Sequence, residues 1–150
     1  MSWRYCWHLH RRVSIATTCR GSATKNGLQD PQGALASWHP SSVTPCIWLH
    51  VTCDANNKVH SLDLAQSGLA GSISGSLAAL QSLRALSLQD NGLTGSIPPQ
   101  LTILSNLQIL HLSNNDLSGP IPTEFSQRFS IDSFKPGNPG LCGAVLHKSC

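Results

Sequence analysis

One short segment occurs three times in this chain at a constant interval of 24 residues. LDLAQSGLAGSIS begins at Leu62, LSLQDNGLTGSIP begins at Leu86, and LHLSNNDLSGPIP begins at Leu110. Self-similarity at a period of about 20 to 50 residues is typical of solenoids, in which each repeat forms one turn that packs against its neighbours. This periodicity limits the possible folds more strongly than any other feature, and it predicts about three stacked turns.

The order of apolar residues within the repeat indicates how each turn is built. The pattern L-x-L places two leucines on one side of the chain and the residue between them on the other side, as in a β-strand. A single turn cannot bury its leucines alone, so the strands of successive turns are expected to stack into a parallel sheet. We therefore predict an α/β-type solenoid with a parallel sheet on its concave face. A second set of core leucines follows each strand, at Leu77, Leu80, Leu83, Leu101, Leu104 and Leu107.

A polar residue follows each predicted strand at the point where the chain turns. Asn91 and Asn115 occupy this position in the second and third copies, and Ser67 occupies it in the first. A buried asparagine amide can donate to and accept from main-chain groups of a turn. We expect the two asparagines to do this and Ser67 to be a shorter, weaker substitute.

The segments that flank the repeats are predicted to be caps, because the terminal turns would otherwise expose apolar edges. The repeats are predicted over residues 59–129, the amino-terminal cap over 28–58 and the carboxy-terminal cap over 130–150. Trp48 is suited to cover the first turn, and a segment with three phenylalanines is suited to cover the last turn. Those phenylalanines are Phe125, Phe129 and Phe134.

Charge divides the chain into a basic leader and a mildly acidic body. Residues 1–29 carry five basic and no acidic side chains, whereas residues 30–150 carry five basic and seven acidic ones. The body therefore offers no basic surface for nucleic acid. Residues 1–27 lack the apolar run of roughly 7 to 15 residues that a secretory signal needs. We predict a disordered or non-native leader there, with an organelle transit peptide as the weaker alternative. No apolar run in the chain approaches the roughly 18 residues of a membrane span.

Six cysteines lie near the ends of the predicted elements. Cys46 and Cys53 precede the repeats, Cys142 and Cys150 follow them, and Cys6 and Cys19 belong to the leader. An even number in close pairs favours disulfides and an oxidising compartment. Metal binding is the alternative for the leader, where the ligand types suit zinc although the spacing is not that of a standard finger. The residues concerned are Cys6, His8, His10 and Cys19.

The repeat and both flanks together resemble the plant leucine-rich-repeat receptor-like proteins. The repeat resembles LxxLxLxxNxLxGxIP of the plant type, and PCIWLHVTC at 45–53 resembles the amino-terminal cap of short-ectodomain receptors. These are the somatic embryogenesis receptor kinases and their kinase-less relatives. DSFKPGNPGLCG at 132–143 resembles the segment that closes such ectodomains. The resemblance implies a disulfide from Cys142 to Cys150, and the second local pair, Cys46 with Cys53, is expected at the other end.

The resemblance also implies a function. It suggests a protein-interaction module, similar to a receptor or co-receptor ectodomain, in plant cell-surface signalling during development or defence. The implied partner is a protein or peptide, in particular a receptor kinase ectodomain, and no cofactor or metal is implied. An extracellular or cell-surface location is expected, although no signal peptide, transmembrane helix or kinase domain is visible in the sequence. The alternatives are a truncated product with no independent function and an inhibitor of secreted pathogen enzymes.

The 24-residue period places Asp63, Ser87 and His111 side by side on the predicted sheet. These residue types occur in hydrolases, but a catalytic triad needs the histidine between the nucleophile and the acid. Here the serine is in the middle, and Asp63 and His111 are two strand spacings apart, about 9–10 Å. We therefore predict that the chain is not an enzyme.

Side chains that the packing does not need are instead predicted to bind a partner. They lie on the concave face and in the adjoining loops, where leucine-rich and other solenoids bind proteins. Since histidine changes its charge near physiological pH, a contact through His111 would depend on pH. The candidate partner-binding residues are Ser61, Asp63, Gln66, Ser87, Gln89, Asp90, Ile109, His111, Ser113 and Asn114.

Overall fold

A computed structural model describes residues 28–38 and 42–150 of the chain. Its strands form two four-stranded sheets, with the orders β1-β2-β4-β6 and β3-β5-β7-β8. The strands are β1 Val51–Cys53, β2 Val59–Asp63, β3 Ala70–Ser72, β4 Ala85–Ser87, β5 Gly92–Gly95, β6 Ile109–His111, β7 Asp116–Pro120 and β8 Gly140–Cys142. The helical elements are α1 Thr123–Arg128 and 3-10 helices at Pro45–Ile47, Gly75–Ala79, Pro99–Ile103, Ile131–Ser133 and Ala144–Leu146.

The first sheet confirms the predicted solenoid. Leu62 pairs with Leu86 and Leu86 pairs with Leu110 in parallel register, so one 24-residue repeat forms one turn. These three leucines are each no more than 1% exposed. Their side chains point into the core, and their neighbours in sequence point to the concave face. Burial of a leucine side chain contributes about 1.5–3 kcal/mol, so each aligned leucine stabilises the stack.

The core runs continuously between the two sheets and the helices of the outer side. The second set of leucines lies in or just after the 3-10 helices Gly75–Ala79 and Pro99–Ile103. Leu83 and Leu104 of this set have no exposed surface at all. Both helices are short because proline or a serine cap begins them and the next strand begins within a few residues. Each turn therefore alternates strand, second strand and helix around one column of leucines.

The second sheet was not part of the sequence prediction. Its strands begin just after the asparagine position and contain glycine, with Gly95 at φ +76° and Gly119 at φ +83°. A residue with a side chain rarely adopts this left-handed backbone, which is why glycine recurs there.

The amino-terminal cap adds one antiparallel strand to the edge of the first sheet. β1 pairs with β2, and a disulfide joins Cys46 to Cys53. The rings of Trp38 and Trp48 stack at 5.2 Å beside the first turn. At Pro45–Ile47 the Thr44 side chain caps a 3-10 helix by accepting a hydrogen bond from the Cys46 N–H.

The carboxy-terminal cap closes the other end with aromatic side chains and a parallel strand. Phe125 and Phe134 have no exposed surface, and Phe129 is 9% exposed. The Arg128 guanidinium lies over the Phe129 ring and donates hydrogen bonds to two carbonyl groups of the preceding turn. β8 pairs with β7, and a disulfide joins Cys142 to Cys150. The leader predicted at 1–27, with Cys6 and Cys19, lies outside the described residues.

Candidate protein-interaction surface

The concave face presents the predicted side chains in register across three strands. Asp63 pairs with Ser87 and Ser87 pairs with His111, which defines a central row. Beside it, Ser61 and Ile109 flank Ala85 in a second row. Asp63, His111 and Ile109 are exposed, whereas Ser61 and Ser87 are partly exposed. The backbone ladder fixes these positions, so the face is organised before any partner binds.

The adjoining loops carry the remaining candidate residues. Gln89 and Ser113 are partly exposed, and each lies two residues beyond the end of its strand, β4 or β6. Gln66, Asp90 and Asn114 each follow the next outward residue of their turn, and they form a downstream rim. All three have left-handed φ angles, of 51°, 58° and 53°.

Hydrogen bonds connect the side chains of this downstream rim. The Asp90 carboxylate accepts a hydrogen bond of 2.6 Å from the Asn114 side-chain amide and a longer one of 3.4 Å from the Gln66 amide. The three side chains thus form a chain of hydrogen bonds between residues 24 apart, one from each turn. Because the Asp90 carboxylate already has two donors, its charge is partly compensated within the chain.

The central row cannot act as a catalytic triad. Ser87 lies between Asp63 and His111 in the observed register, so the imidazole does not separate the nucleophile from the acid. The Asp63 carboxylate also faces its own turn, where it accepts a 3.4 Å hydrogen bond from the Ala65 N–H. In this row, therefore, no histidine lies between Ser87 and Asp63.

The structure extends the face at both ends with residues that the sequence analysis missed. His50 lies opposite Asp63, because the Asp63 N–H donates to the His50 carbonyl oxygen at 3.0 Å. Ile131 begins the 3-10 helix beside β6, where the Leu112 N–H donates to the Ser133 carbonyl. Ile131 is 43% exposed and Ile109 is 47% exposed. The antiparallel β1 follows no repeat, so only the resemblance of the cap could have suggested a role for His50.

An upstream rim, formed by Lys58 and Arg84, borders the other side of the face. Both residues are exposed and precede β2 and β4. Asp54 lies close to Lys58 in the β1–β2 turn. The Asp54 carboxylate accepts hydrogen bonds from the backbone N–H groups of Lys58 and Asn56. These bonds, that from Lys58 first, lower the pKa of Asp54 below its ordinary value. The upstream rim is thus basic, and the downstream rim is acidic.

Known proteins match both the repeats and the caps. A family model described as "Leucine rich repeat N-terminal domain" matches residues 23–54, and one described as "Leucine Rich Repeat" matches 82–104 and 106–127. The BIR2 ectodomain from Arabidopsis thaliana is 30% identical, with 82% of this chain and 92% of that chain covered and a TM-score of 0.51. This chain belongs to the plant leucine-rich-repeat proteins.

Two further proteins are similar to parts of this leucine-rich-repeat protein. The ectodomain of the receptor kinase SOBIR1 from Arabidopsis thaliana is 28% identical, with a TM-score of 0.53 and with 66% of this chain and 60% of that chain covered. Leucine-rich repeat protein 1 of Oryza sativa subsp. indica is 46% identical over 63 residues. That match spans 42% of this chain but only 30% of the rice protein.

None of the helices in the described residues has the length and apolar character that a membrane span requires.

Proposed function

We propose that this leucine-rich-repeat protein is an interaction module, similar to a receptor or co-receptor ectodomain, in plant cell-surface signalling during development or defence. One observation carries the proposal. The concave face holds an aligned set of polar and apolar side chains that the core does not need. The leucines between them are buried, so the packing of the core does not account for these side chains.

The partner is a protein or peptide, in particular the ectodomain of a receptor kinase, and the site of action is outside the cell or at its surface. The likeness to the BIR2 and SOBIR1 ectodomains supports this class of partner and this location. Two disulfides at the ends of the described solenoid also suit an oxidising compartment. With three turns the face is small, which favours a contact shared with other surfaces over a full-sized interface.

The residues assigned to the contact are those of the concave face and its downstream rim. Ile109 supplies an exposed apolar side chain, which is the kind of group that gains most from burial in an interface. The polar residues around it supply orientation. The full set is Ser61, Asp63, Gln66, Ser87, Gln89, Asp90, Ile109, His111, Ser113 and Asn114.

A blocking substitution in the middle of the face tests the proposal. Ser87→Arg places a long charged side chain at the centre of the central row, and we expect capture of a candidate receptor ectodomain in a pull-down to fall at least roughly tenfold. Thr94→Arg is the matched control, because Thr94 is exposed on β5 of the second sheet. Both variants must retain the wild-type circular dichroism spectrum.

The two variants separate the possible outcomes. Loss of capture with Ser87→Arg and not with Thr94→Arg supports binding through the concave face. Equal capture by both variants would move the interface off this face. Capture of no receptor ectodomain by the wild-type protein would instead favour a product without independent function or an inhibitor of secreted enzymes.

A further inference from the structure

Two asparagines of the chain, Asn26 and Asn91, are followed by glycine. An asparagine in this position loses its side-chain amide most easily, because glycine has no side chain to hinder attack by its own backbone nitrogen. Asn26 lies outside the described residues, whereas Asn91 is half-buried between β4 and β5. Every other asparagine of the described part precedes a residue with a side chain. Asn91–Gly92 is therefore the pair of the solenoid whose sequence favours deamidation.

Five hydrogen bonds of 2.8 to 3.2 Å hold the Asn91 amide. Its Oδ1 accepts from two backbone N–H groups of the preceding turn, and its Nδ2 donates to three carbonyl oxygens. Deamidation requires Cγ to reach covalent distance from the Gly92 nitrogen, which pulls the amide away from these groups. The partners are the N–H groups of Ser67 and Leu69 and the carbonyls of Leu64, Leu88 and Gln89.

The attacking nitrogen is engaged as well. The Gly92 N–H donates to the Leu69 carbonyl oxygen at 2.7 Å, and Gly92 pairs with Ala70 in the second sheet. The nitrogen attacks only after it gives up its proton. Backbone N–H groups in such ladders release their protons to water mainly when the structure opens locally. The first turn therefore restrains both groups that would have to react.

The product would not fit where the amide fits. A carboxylate accepts hydrogen bonds and cannot donate them, so an aspartate at this position would leave three carbonyl oxygens without a donor and would repel them. Isoaspartate, the other product, also adds one carbon to the main chain just before β5. Either product weakens the junction between the first and second turns.

We propose that Asn91 is a deamidation site that the folded chain keeps closed, and that its conversion makes unfolding irreversible. The Gly92 nitrogen forms a bond to Cγ of Asn91, the Cγ–Nδ2 bond breaks, and ammonia leaves with the proton that Gly92 has lost. Water then opens the cyclic imide at either carbonyl carbon, which gives aspartate or isoaspartate. Chemical change of an unfolded chain turns a reversible equilibrium into a progressive loss. This inference does not depend on the proposed function.

Peptide mapping by mass spectrometry tests whether the site is closed. The wild-type chain is incubated in mildly alkaline buffer with and without urea. The Asn91 amide should be lost at least roughly tenfold more slowly without urea, because reaction then requires opening of the structure. Asn26 is the internal reference, since both Asn–Gly pairs should react at similar rates in urea. The tryptic peptide that holds Asn91 contains three other asparagines, so fragment spectra have to locate the change.

Gly92→Ala is the matched variant, because it hinders the attack and retains the Asn91 amide. A Cβ at Gly92 would lie 3.4 Å from the Leu69 carbonyl oxygen and 3.8 Å from the Ala70 Cβ, which are ordinary contacts. Gly92 is also not one of the glycines with a positive φ angle. In urea the variant should lose the Asn91 amide several times more slowly than the wild type, with no change at Asn26.

Recovery of the fold after removal of urea tests the consequence. The fraction of wild-type chain that regains its circular dichroism spectrum should fall as Asn91 is converted, whereas Gly92→Ala should keep most of its recovery. Both chains retain Asn26 and Gly27, so conversion there affects them alike. Equal losses of recovery would overturn the role of Asn91, and equal rates with and without urea would overturn the closed site.

Asn91→Asp introduces one of the two products directly. It should lower the folding equilibrium constant at least roughly tenfold, since three carbonyls lose their donor. Asn106→Asp is the matched control, because Asn106 is exposed and donates to one carbonyl, that of Gln81. Its effect should be roughly threefold or less. Failure of Asn91→Asp to fold would agree with the proposal, and a folding equilibrium equal to that of Asn106→Asp would contradict it.

Discussion

At the scale of single residues, the asparagines of the repeat bond to the turn before their own as well as to their own turn. The Asn91 side chain accepts from the N–H groups of Ser67 and Leu69 and donates to the Leu64 carbonyl, all in the preceding turn. Asn115 does the same for Leu93 and Leu88. Asn138 of the carboxy-terminal cap repeats the pattern for Leu117 and Leu112. The first turn has no preceding turn, so position 67 does not need an asparagine.

This interpretation predicts opposite outcomes at two equivalent positions. Ser67 and Asn115 are 7% and 8% exposed, so burial does not distinguish them. Asn115→Ala leaves the Leu93 N–H and the Leu88 and Leu112 carbonyls without a buried partner. We expect it to lower the free energy of unfolding in urea by about 2–3 kcal/mol. Ser67→Ala removes one bond to its neighbour Ala65 and should cost about 1 kcal/mol or less. Similar costs would show that the asparagine acts within its own turn.

Residue types and period were enough to predict much of this surface and not its charges. A period of 24 and the alternation of a strand predict the inward leucines and the row Asp63, Ser87 and His111. The hydrogen-bonding groups of the amide predict the main-chain bonding of Asn91 and Asn115.

Ser67 is the shorter, weaker substitute that was expected, because its hydroxyl donates only to the Ala65 carbonyl, as Asn91 donates to the Gln89 carbonyl. The reach of the asparagines into the preceding turn was not predicted. The hydrogen bonds that link Gln66, Asp90 and Asn114 could not be predicted either, because side-chain pairing depends on side-chain positions that the repeat pattern does not contain.

At the scale of elements, the β1–β2 turn is held by one carboxylate. The Lys58 N–H is the main cause that lowers the pKa of Asp54, with the Asn56 N–H and the charges of Lys58 and His60 acting in the same direction and desolvation opposing them. A lowered folded pKa means that the ionised form stabilises the turn. That contribution is present above the unfolded pKa of about 3.9 and is lost as pH falls through the folded value.

The corresponding experiment compares melting temperatures of the wild-type chain and Asp54→Asn as pH is lowered. The wild-type chain should be the more stable at neutral pH, and the difference should shrink as pH falls below about 4. Added salt should preserve most of the difference, because backbone hydrogen bonds are its main cause and screening weakens only charge–charge interactions. A difference that stays constant into strong acid would contradict this role for the carboxylate.

The caps and the second sheet mark the limit of sequence-based prediction at this scale. The repeated L-x-L pattern predicted the strands β2, β4 and β6, which each contain or adjoin one copy of it. β1 pairs antiparallel with β2, and β8 pairs parallel with β7. Both β1 and β8 lie outside the leucine repeats, so the repeat pattern could not predict them. The short strands β3, β5 and β7 contain glycine and small polar residues, which a search for apolar alternation does not recognise as strands.

At the scale of the whole molecule, the caps are part of one cooperative unit. A three-turn solenoid gains stability from the contacts between neighbouring turns, and each terminal turn is half-covered without its cap. The single core extends from Leu28 and Trp38 at one end to Phe134 and Leu141 at the other. A substitution that destabilises one cap should therefore also lower the stability of the other cap.

Phe125→Ala provides the test, because Phe125 has no exposed surface and packs edge-on against Phe129 at the carboxy-terminal end of the repeats. Loss of a buried phenylalanine costs about 3–5 kcal/mol, a large share of the roughly 5–15 kcal/mol that stabilises a typical domain. Unfolding in urea would be followed by the fluorescence of Trp38 and Trp48 in the opposite cap, with Trp3→Phe and Trp7→Phe to remove the leader signals. We expect Phe125→Ala to shift this midpoint as much as it shifts the midpoint from circular dichroism. Glu124→Ala, at an exposed neighbour, should shift neither. An unchanged fluorescence midpoint in Phe125→Ala would mean that the amino-terminal cap folds independently of the last turn.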